Sequence, residues 1–557
     1  TRIPVPISYT RLTDTTIGFT VGSYDRTLPL VIDPVYTWHT FYGSSSNDIG
    51  RGIAVDKDGN VYVTGVSTAT WGTPINPHSG GSDIVVLKLD SSGAYQWHTF
   101  HGSNGVDYGR AIAVDNDGNV YVTGESNAAW GTPMNPHSGG DDIVVLKLNS
   151  SGAYQWHTFH GSNGNDSGLG IAVDKDGNMY VTGRSYAWGS PINPHSGNDD
   201  IVVLKLNSSG AYQWHTFHGS NGNDYGRAIA VDNDGNVYVT GHNSATWGTP
   251  ITPHSGGYDI VVLKLDSSGT LLWHTFHGSN DFDYGNGIAV DESGNVYITG
   301  HSFDTWGTPI NPYSGSDDMV VLKLDSSGTL LWHTFYGSNA YDIGYGIVVD
   351  TGGNVYVTGT SFAAWGTPMN PYSGDRDIVV LKLDSSGAYQ WHTFYGSNNC
   401  DEGYGSAMDK DGNIYVTGSS DATWGTPINP HSGSSDIVVV KLTKVDLSPS
   451  EGTIGTRITI HGTGFGIKKG KVLINNMAAK IDKGGWTPDR ITATINKPPM
   501  PTDVPHPVTV KVKKESTTVD GTFTLRLPVL DDLATTSGTY KDAITVTGKF
   551  FSTKKGK

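Results

Sequence analysis

The string WHTF occurs seven times, with its first residue at Trp38, Trp97, Trp156, Trp214, Trp273, Trp332 and Trp391, a period of 59 residues that shortens once to 58. A unit of this length repeated seven times is one supersecondary motif whose apolar faces must be covered by its neighbours. Each unit contains four stretches rich in β-branched and aromatic residues. In the first full copy they are GRGIAVD at 50–56, NVYVTG at 60–65, DIVVLKLD at 83–90 and AYQWHTFHG at 94–102. We call them strands A, B, C and D. The A–B turn, DKDGN, contains Gly59, and the C–D turn, DSSG, ends in Gly93; each glycine can take the left-handed conformation of a tight hairpin. The B–C connection is longer and carries the cassette WGTPINPHSG. The third unit alone loses a residue, and loses it in this connection, as loops tolerate and strands do not.

Four antiparallel strands repeated seven times can form an open array or a closed propeller, and the ends of the repeat region discriminate. The WHTF at Trp38 is a D strand with no A, B or C before it, whereas the last unit stops after its C strand, DIVVVKLTK. A ring in which residues 35–42 complete the blade built from 403–442 leaves no exposed first or last edge. The fold class predicted is therefore all-β: a seven-bladed β-propeller whose N-terminal strand closes the last blade.

The string GRGIAVDKDGNVYVTG, followed by DIVVLKLDSSG and an aromatic strand, resembles the bacterial SBBP β-propeller repeat over about 35–442. The preceding TIGFTVGSYDRTLPLVIDP is similar to the tail of a β domain that often stands before such repeats in secreted bacterial proteins, which assigns 1–34 to that tail and implies a processed or trimmed chain. After Lys441 the period stops. VDLSPSEGTIGTRITIHGTGFG at 445–466 resembles the opening of an IPT/TIG domain, an immunoglobulin-like β-sandwich, placed at 443–527 with FTL at 523–525 as its last strand. TTSGTYKDAITVTGKFF at 535–551 resembles a second such opening, so 528–557 is expected to begin a further, incomplete TIG domain. These resemblances imply a secreted or cell-surface bacterial protein.

Composition agrees with burial: 10% of the 557 residues are aromatic and 16% charged. No apolar run approaches the 18 or so residues needed to cross a bilayer, and the chain opens TRIPVPISYT without a charged-then-apolar leader; a leader, if one existed, is expected to be gone already. Cys400 is the one cysteine, so no internal disulfide forms and neither zinc ribbons nor attached haem are possible; such avoidance suits exported and cytosolic proteins alike. Charge divides at the domain boundary. Residues 1–442 hold 18 Lys+Arg against 43 Asp+Glu, net −25, and residues 443–557 hold 18 against 10, net +8. Opposite fields allow self-association, while solvated surface is the plainer use of both. The basic part lacks a reading helix or an aromatic-interleaved groove, which argues against nucleic acid as a partner.

Recurrent residues offer candidate chemistry. The DxDGN turns lack the ligand spacing of a calcium loop, and their second Asp becomes Ser293 and Gly352 in two units while Gly and Asn persist, which is what a hairpin needs. An Asp recurs at 48, 107, 166, 224, 283, 342 and 401, and another at 83, 142, 200, 259, 318, 377 and 436. Bonding to loop amides, or pairing with the recurrent Lys88 of LKL, is expected of them rather than metal binding. The His of WHTF is expected to pack, because equivalents in different blades lie far apart. No cofactor or metal is called for. An enzyme needs one asymmetric constellation, and seven near-identical blades are not expected to supply it; no nucleophile elbow, P-loop or HExxH is present.

Two non-enzymatic classes follow: a structural module or protomer of an extracellular assembly, partnered by copies of itself or other surface proteins, and a multivalent lectin-like binder of glycans through its B–C loops. In a four-stranded blade these loops share a face with the D–A loops. The candidate ligand-binding residues are Trp71 with His78, Trp130 with His137, Trp188 with His195, Trp247 with His254, Trp306 with Tyr313, Trp365 with Tyr372, and Trp424 with His431. An indole kept in every copy beside rigid prolines points instead to a loop folded back to seal the groove between blades. On that reading the His/Tyr position is the exposed contact.

Overall fold

The computed structural model describes residues 35–443 without interruption. Outside them it describes the strands Ile7–Thr13 and Thr16–Val21 and those that lie between Asp446 and Lys549. The N-terminal assignment at 1–34 and the C-terminal assignment at 528–557 fall partly outside the described residues. Within them, Ile7–Thr13 pairs antiparallel with Thr16–Val21, and Val529–Leu533 with Val546–Lys549.

Residues Trp38–Lys441 form one compact unit. It contains seven four-stranded antiparallel sheets, each in the order A-B-C-D, and the seventh is completed by Val35–Tyr42 beside Asp436–Thr443. The A strand of every blade touches the A strand of the next in an unbroken cycle, and Asp401–Met408 of the last blade meets Asp48–Val55 of the first. The ring is closed, and seven is the blade count.

Burial explains why the period-2 pattern of surface strands is absent from B and C. Val61–Ser67 is buried along its whole length, and Asp83–Leu89 along all but Lys88, because blade faces pack against blades on both sides. The core is accordingly built between blades: Tyr62, Ile84 and Val86 of the first blade pack with Ile112, Val122, Val144 and Phe159 of the second. Trp38, Tyr415 and Ile437 of the last blade pack in the same way with Val63, Val85 and Phe100 of the first. The recurrent Lys does not pair with the recurrent Asp as expected. Lys88 lies over the Tyr62 ring, its Nζ 4.8 Å from the centroid, and donates to the Ser150 carbonyl in the next blade's C–D turn at 3.2 Å. Lys441 donates likewise to Ser91 across the closure at 3.0 Å. An ammonium on a tyrosine face, with a carbonyl to receive it, needs no carboxylate.

The A strand carries one irregularity, and it recurs in all seven blades. Register with strand B slips between Gly50 and Gly52, so Arg51 is a bulged residue; its counterparts are Arg110, Leu169, Arg227, Asn286, Tyr345 and Tyr404. The bulge explains the glycine of VYVTG, since a Cβ on Gly65 would collide with the Ile49 carbonyl oxygen.

In the second unit, the strands run in the order Asp446–Ser448, Arg457–His461, Arg490–Thr494, Met477–Trp486, Lys471–Ile474, Pro505–Val512, Glu515–Leu525 and Glu451–Gly452. Asp446–Ser448 also pairs in parallel with Glu515–Leu525, so the sheet closes on itself, and FTL ends its last long strand.

Closure yields a prediction. Removing residues 1–42 should strip the D strand from the last blade, lowering the melting temperature by several degrees or driving aggregation at the bared Asp436–Thr443 edge. Calorimetry with light scattering reads both, and an unchanged melting curve with a monomeric species would contradict the closed ring.

Candidate functional site

The cassette folds back along the outer edge of strand D. The Ile75 amide donates to the His98 carbonyl at 2.9 Å and the Phe100 amide to the Asn76 carbonyl at 3.1 Å, while Asn76 Nδ2 caps the Phe100 carbonyl at 2.6 Å. Corresponding amide bonds recur in every blade, including Ile428 to His39 and Phe41 to Asn429 at the closure. Pro74 and Pro77 flank this two-residue segment. A proline has no N–H to offer a further strand, so the row of bonding groups that D would expose is covered by a segment that cannot itself be extended.

The tryptophan holds the fold-back in place. Trp71 stacks on His98 at 3.8 Å with 5° between the rings, and all seven equivalent stacks lie between 3.7 and 3.9 Å. Gly72 takes φ of +53°, and a Cβ there would stand 3.1 Å from His98 Cε1, so the cassette needs glycine after its indole. His98 Nε2 lies 2.9 Å from the Trp71 carbonyl oxygen, which can only accept, so Nε2 carries the proton and Nδ1 receives the Tyr95 hydroxyl at 2.8 Å. Burial lowers the His98 pKa, as at His39, which is brought down to about 4 against the opposing bond to Trp424; these rings pack as neutral imidazoles. Each indole also meets the last D residue of the preceding blade: Tyr42 against Trp71 at 6.1 Å, His101 against Trp130 at 6.0 Å, and Tyr336 against Trp365 at 6.2 Å. The tryptophan bridges neighbours in the ring.

The structure places the predicted candidates as follows. Trp71, Trp130, Trp188, Trp247, Trp306 and Trp424 are half-buried and Trp365 is buried. His78, His137, His195, His254, Tyr313, Tyr372 and His431 are also half-buried rather than exposed. His78 Nε2 lies 3.1 Å from the Ser67 carbonyl, and its ring stands edge-on to Phe100. The exposed member of the cassette is a residue that sequence reasoning does not single out: Ile75, Met134, Ile192, Ile251, Ile310 and Ile428, each about half exposed. Between the second and third blades Met134, His160, Trp188 and Tyr212 line a groove of about 660 Å³.

The recurrent aspartates pin loops, as expected. Asp48 is fully buried and accepts from the Ser44 amide at 2.6 Å, the Ser44 hydroxyl at 2.7 Å and the Ser67 hydroxyl. Asp83 accepts from the Ser79 amide and hydroxyl at 2.7 and 3.0 Å. Burial raises both pKa values, and the serine bonds oppose it. No cluster of three or more His, Cys, Asp or Glu with metal-binding geometry occurs among the described residues.

At the centre of the ring the blades differ at one position. The seven bulged residues stand on the innermost strands, and this is a position that the repeat does not hold constant. Arg51 lies over the Tyr404 ring at 4.2 Å, Tyr404 meets Tyr345 at 5.3 Å, and Asn286 Nδ2 donates to the Gly344 carbonyl at 2.9 Å. Arg110 pairs with Glu125, Arg376 with Glu402, and Arg184 with Asp199 at 3.4 Å. Arg227 donates through Nε to His242 Nδ1 at 3.2 Å and has no carboxylate partner among the described residues. His242 is held well below its ordinary pKa by burial and by Arg227. Between the first two blades Ile49, Arg51, Val66, Tyr108 and Arg110 line a cavity of about 310 Å³ that opens on the face of the B–C and D–A loops. The sequence signal for this site is variation at one position inside an otherwise constant motif.

These features define a seven-bladed β-propeller with uniform blade edges and a non-uniform centre. Within that class the chain carries SBBP repeats: the family described as a β-propeller repeat matches residues 37–70, 96–129, 155–187, 213–243, 276–304 and 331–361, and the IPT/TIG domain family matches 443–525. The chain is similar to an uncharacterised WD repeat-containing protein of Acanthamoeba polyphaga mimivirus, 22% identical over 454 residues covering 63% of this chain and 32% of the relative. It is also similar to the regulatory protein FlaEY of Caulobacter vibrioides, 27% identical over 372 residues covering 60% and 39%. The chain thus spans between a third and two fifths of the length of these relatives. Similar solved structures include Sqt1 from Chaetomium thermophilum (11% identity, 74% of this chain and 99% of that one, TM-score 0.37). A gluconolactonase from Xanthomonas campestris (14%, 58% and 90%, TM-score 0.30) is another. The fold rests on the strand pairing itself rather than on likenesses of this size.

Two substitutions test these roles. Trp71→Ala removes the stack and the bridge to Tyr42, and should destabilise the protein by about 2–4 kcal/mol in denaturant unfolding; a cost within experimental error would contradict a packing role. Asp317, 2% exposed, has its carboxyl pushed up to about 9 by burial and by the neighbouring Asp318, Asp342 and Asp283. Because this folded-state value lies above the unfolded one, the stability it contributes is complete in acid and is lost as pH rises from about 4 towards 9. Asp317→Asn should therefore be more stable than the parent at pH 7–8, with the gain shrinking towards pH 4; an equal gain at both pH values would contradict a buried, protonated carboxyl.

Proposed function

We propose that this protein is a non-enzymatic extracellular or cell-surface scaffold, a spacer or protomer of a surface assembly in a bacterium; propeller repeats joined to an IPT/TIG domain fit a structural or adhesion module. The observation that carries this reading is the use made of the cassette: the most conspicuous repeated sequence in the chain covers blade edges seven times over. A disc with every edge capped resists casual strand addition, as befits a part that is displayed at high local concentration. Association between copies would then rest on charge, the −25 of residues 1–442 facing the +8 of residues 443–557.

A second reading is favoured by one observation, the groove between blades lined by Trp188, Tyr212 and His160. Aromatic faces beside polar groups stack on sugar rings, and a ring of weak sites would add avidity.

Association is the test. Sedimentation at rising ionic strength should show assemblies that weaken as salt shortens the screening length to about 8 Å near 0.15 M and below. Salt-independent assembly would contradict charge pairing. A monomer at all concentrations that is retained on a glycan array would replace the scaffold with the lectin-like reading.

A further inference from the structure

At the centre of the ring two arginines of the A-strand bulges have no ion-pair partner among the described residues. Arg51 makes no hydrogen bond or ion pair among the described residues beyond its seat on the Tyr404 ring. Arg227 bonds only to His242, with its guanidinium 5.8 Å from the Tyr284 ring centroid. Arg51 sits on Tyr404, Tyr404 meets Tyr345 at 5.3 Å, and Tyr345 feels the Glu402 carboxylate together with Arg51 and Arg227, so guanidiniums from two blades approach one pair of tyrosines. Glu125 answers Arg110 and Glu402 answers Arg376, which leaves Arg51 and Arg227 without a carboxylate among the described residues. A half-buried guanidinium beside a second one and a neutral imidazole is costly unless an anion joins it, and the planar fork suits an oxyanion. The bulge is what sets these side chains there: it breaks the pairing of the innermost strand at one residue per blade, and in three blades that residue is arginine.

We propose that the centre of the ring binds a small molecule bearing a carboxylate or phosphate, with Arg51 and Arg227 receiving the anionic group while Arg110, already paired with Glu125, lines the cavity beside them. The cavity of about 310 Å³ beside Arg51 and Arg110, walled by Ile49, Val66 and Tyr108, seats the body of the ligand. Its size suits a single sugar acid or an organic phosphate rather than a polymer threaded through the ring. This site is separate from the blade-edge cassettes and stands or falls independently of the scaffold reading.

Calorimetric titration of the full chain with glucuronate, inorganic phosphate and glucose tests it. Glucuronate should bind with phosphate competing, and glucose should not bind; phosphate binding without glucuronate would keep the anion receptor and assign its ligand to the phosphates. Arg227→Gln and Arg51→Gln should each weaken binding about tenfold or more, a loss of about 1.4 kcal/mol, while Lys410→Gln, on an exposed A–B turn, should leave it unchanged. Arg51 is the variant of choice should Arg227→Gln lower the melting temperature, because its guanidinium only rests on a ring. No binding of either anion up to about 10 mM, or binding that both arginine variants leave intact, would overturn the proposal.

Discussion

A four-stranded sheet has two edges, and this protein depends on how both are hidden. The inner edge disappears because A strands touch around a closed cycle of seven. The outer edge is covered because Ile75 and Asn76 exchange backbone hydrogen bonds with His98 and Phe100, and prolines on either side keep the segment from extending further. The stack of Trp71 on a neutral His98 holds that segment down and fixes the imidazole tautomer, so one aromatic pair serves both the capping of a blade and its contact with the blade before it. Without it the B–C connection would be a long surface loop over an unpaired strand.

Much of this is legible in the sequence because repetition states each structural requirement seven times. The period defines the blade, the offset between Trp38 and the last C strand defines the closure, and persistence of Gly and Asn in DxDGN marks a turn: Asp56 accepts from the amides of Asp58 and Asn60. Burial opposes ionisation of Asp56, yet the bonds from Asn60 and Tyr62 outweigh it and bring its carboxyl below the usual range. Other features are hidden for physical reasons. WGTPINPHSG reads as a loop and is irregular in the structure, but its composition does not reveal that Ile75 and Asn76 bond to the backbone of strand D. A lysine on an apolar strand directs attention to carboxylates, whereas the partner of Lys88 is the ring of Tyr62, directly opposite it on the facing strand.

The channel escapes a sequence reading for the opposite reason. Sameness across copies draws attention to what every blade needs for folding, and a site that occurs once per ring has to be written in the positions that differ. Arg51, Arg110, Leu169, Arg227, Asn286, Tyr345 and Tyr404 differ at a bulge whose flanking glycines are otherwise retained or replaced by alanine. The scaffold is thereby divided in two: constant edges that make the disc, and one variable ring that can differ between discs without disturbing the strands that carry it.

The central claim is that the cassette is part of the blade and not a free loop. Hydrogen exchange followed by mass spectrometry reads it directly through the amides of Ile75 and Phe100, which bond across the join. The account predicts that both exchange as slowly as the B and C strands, on the timescale of opening the blade itself. Exchange of the Ile75 segment within seconds, with the interior strands still protected, would show the cassette to be loose and would contradict it.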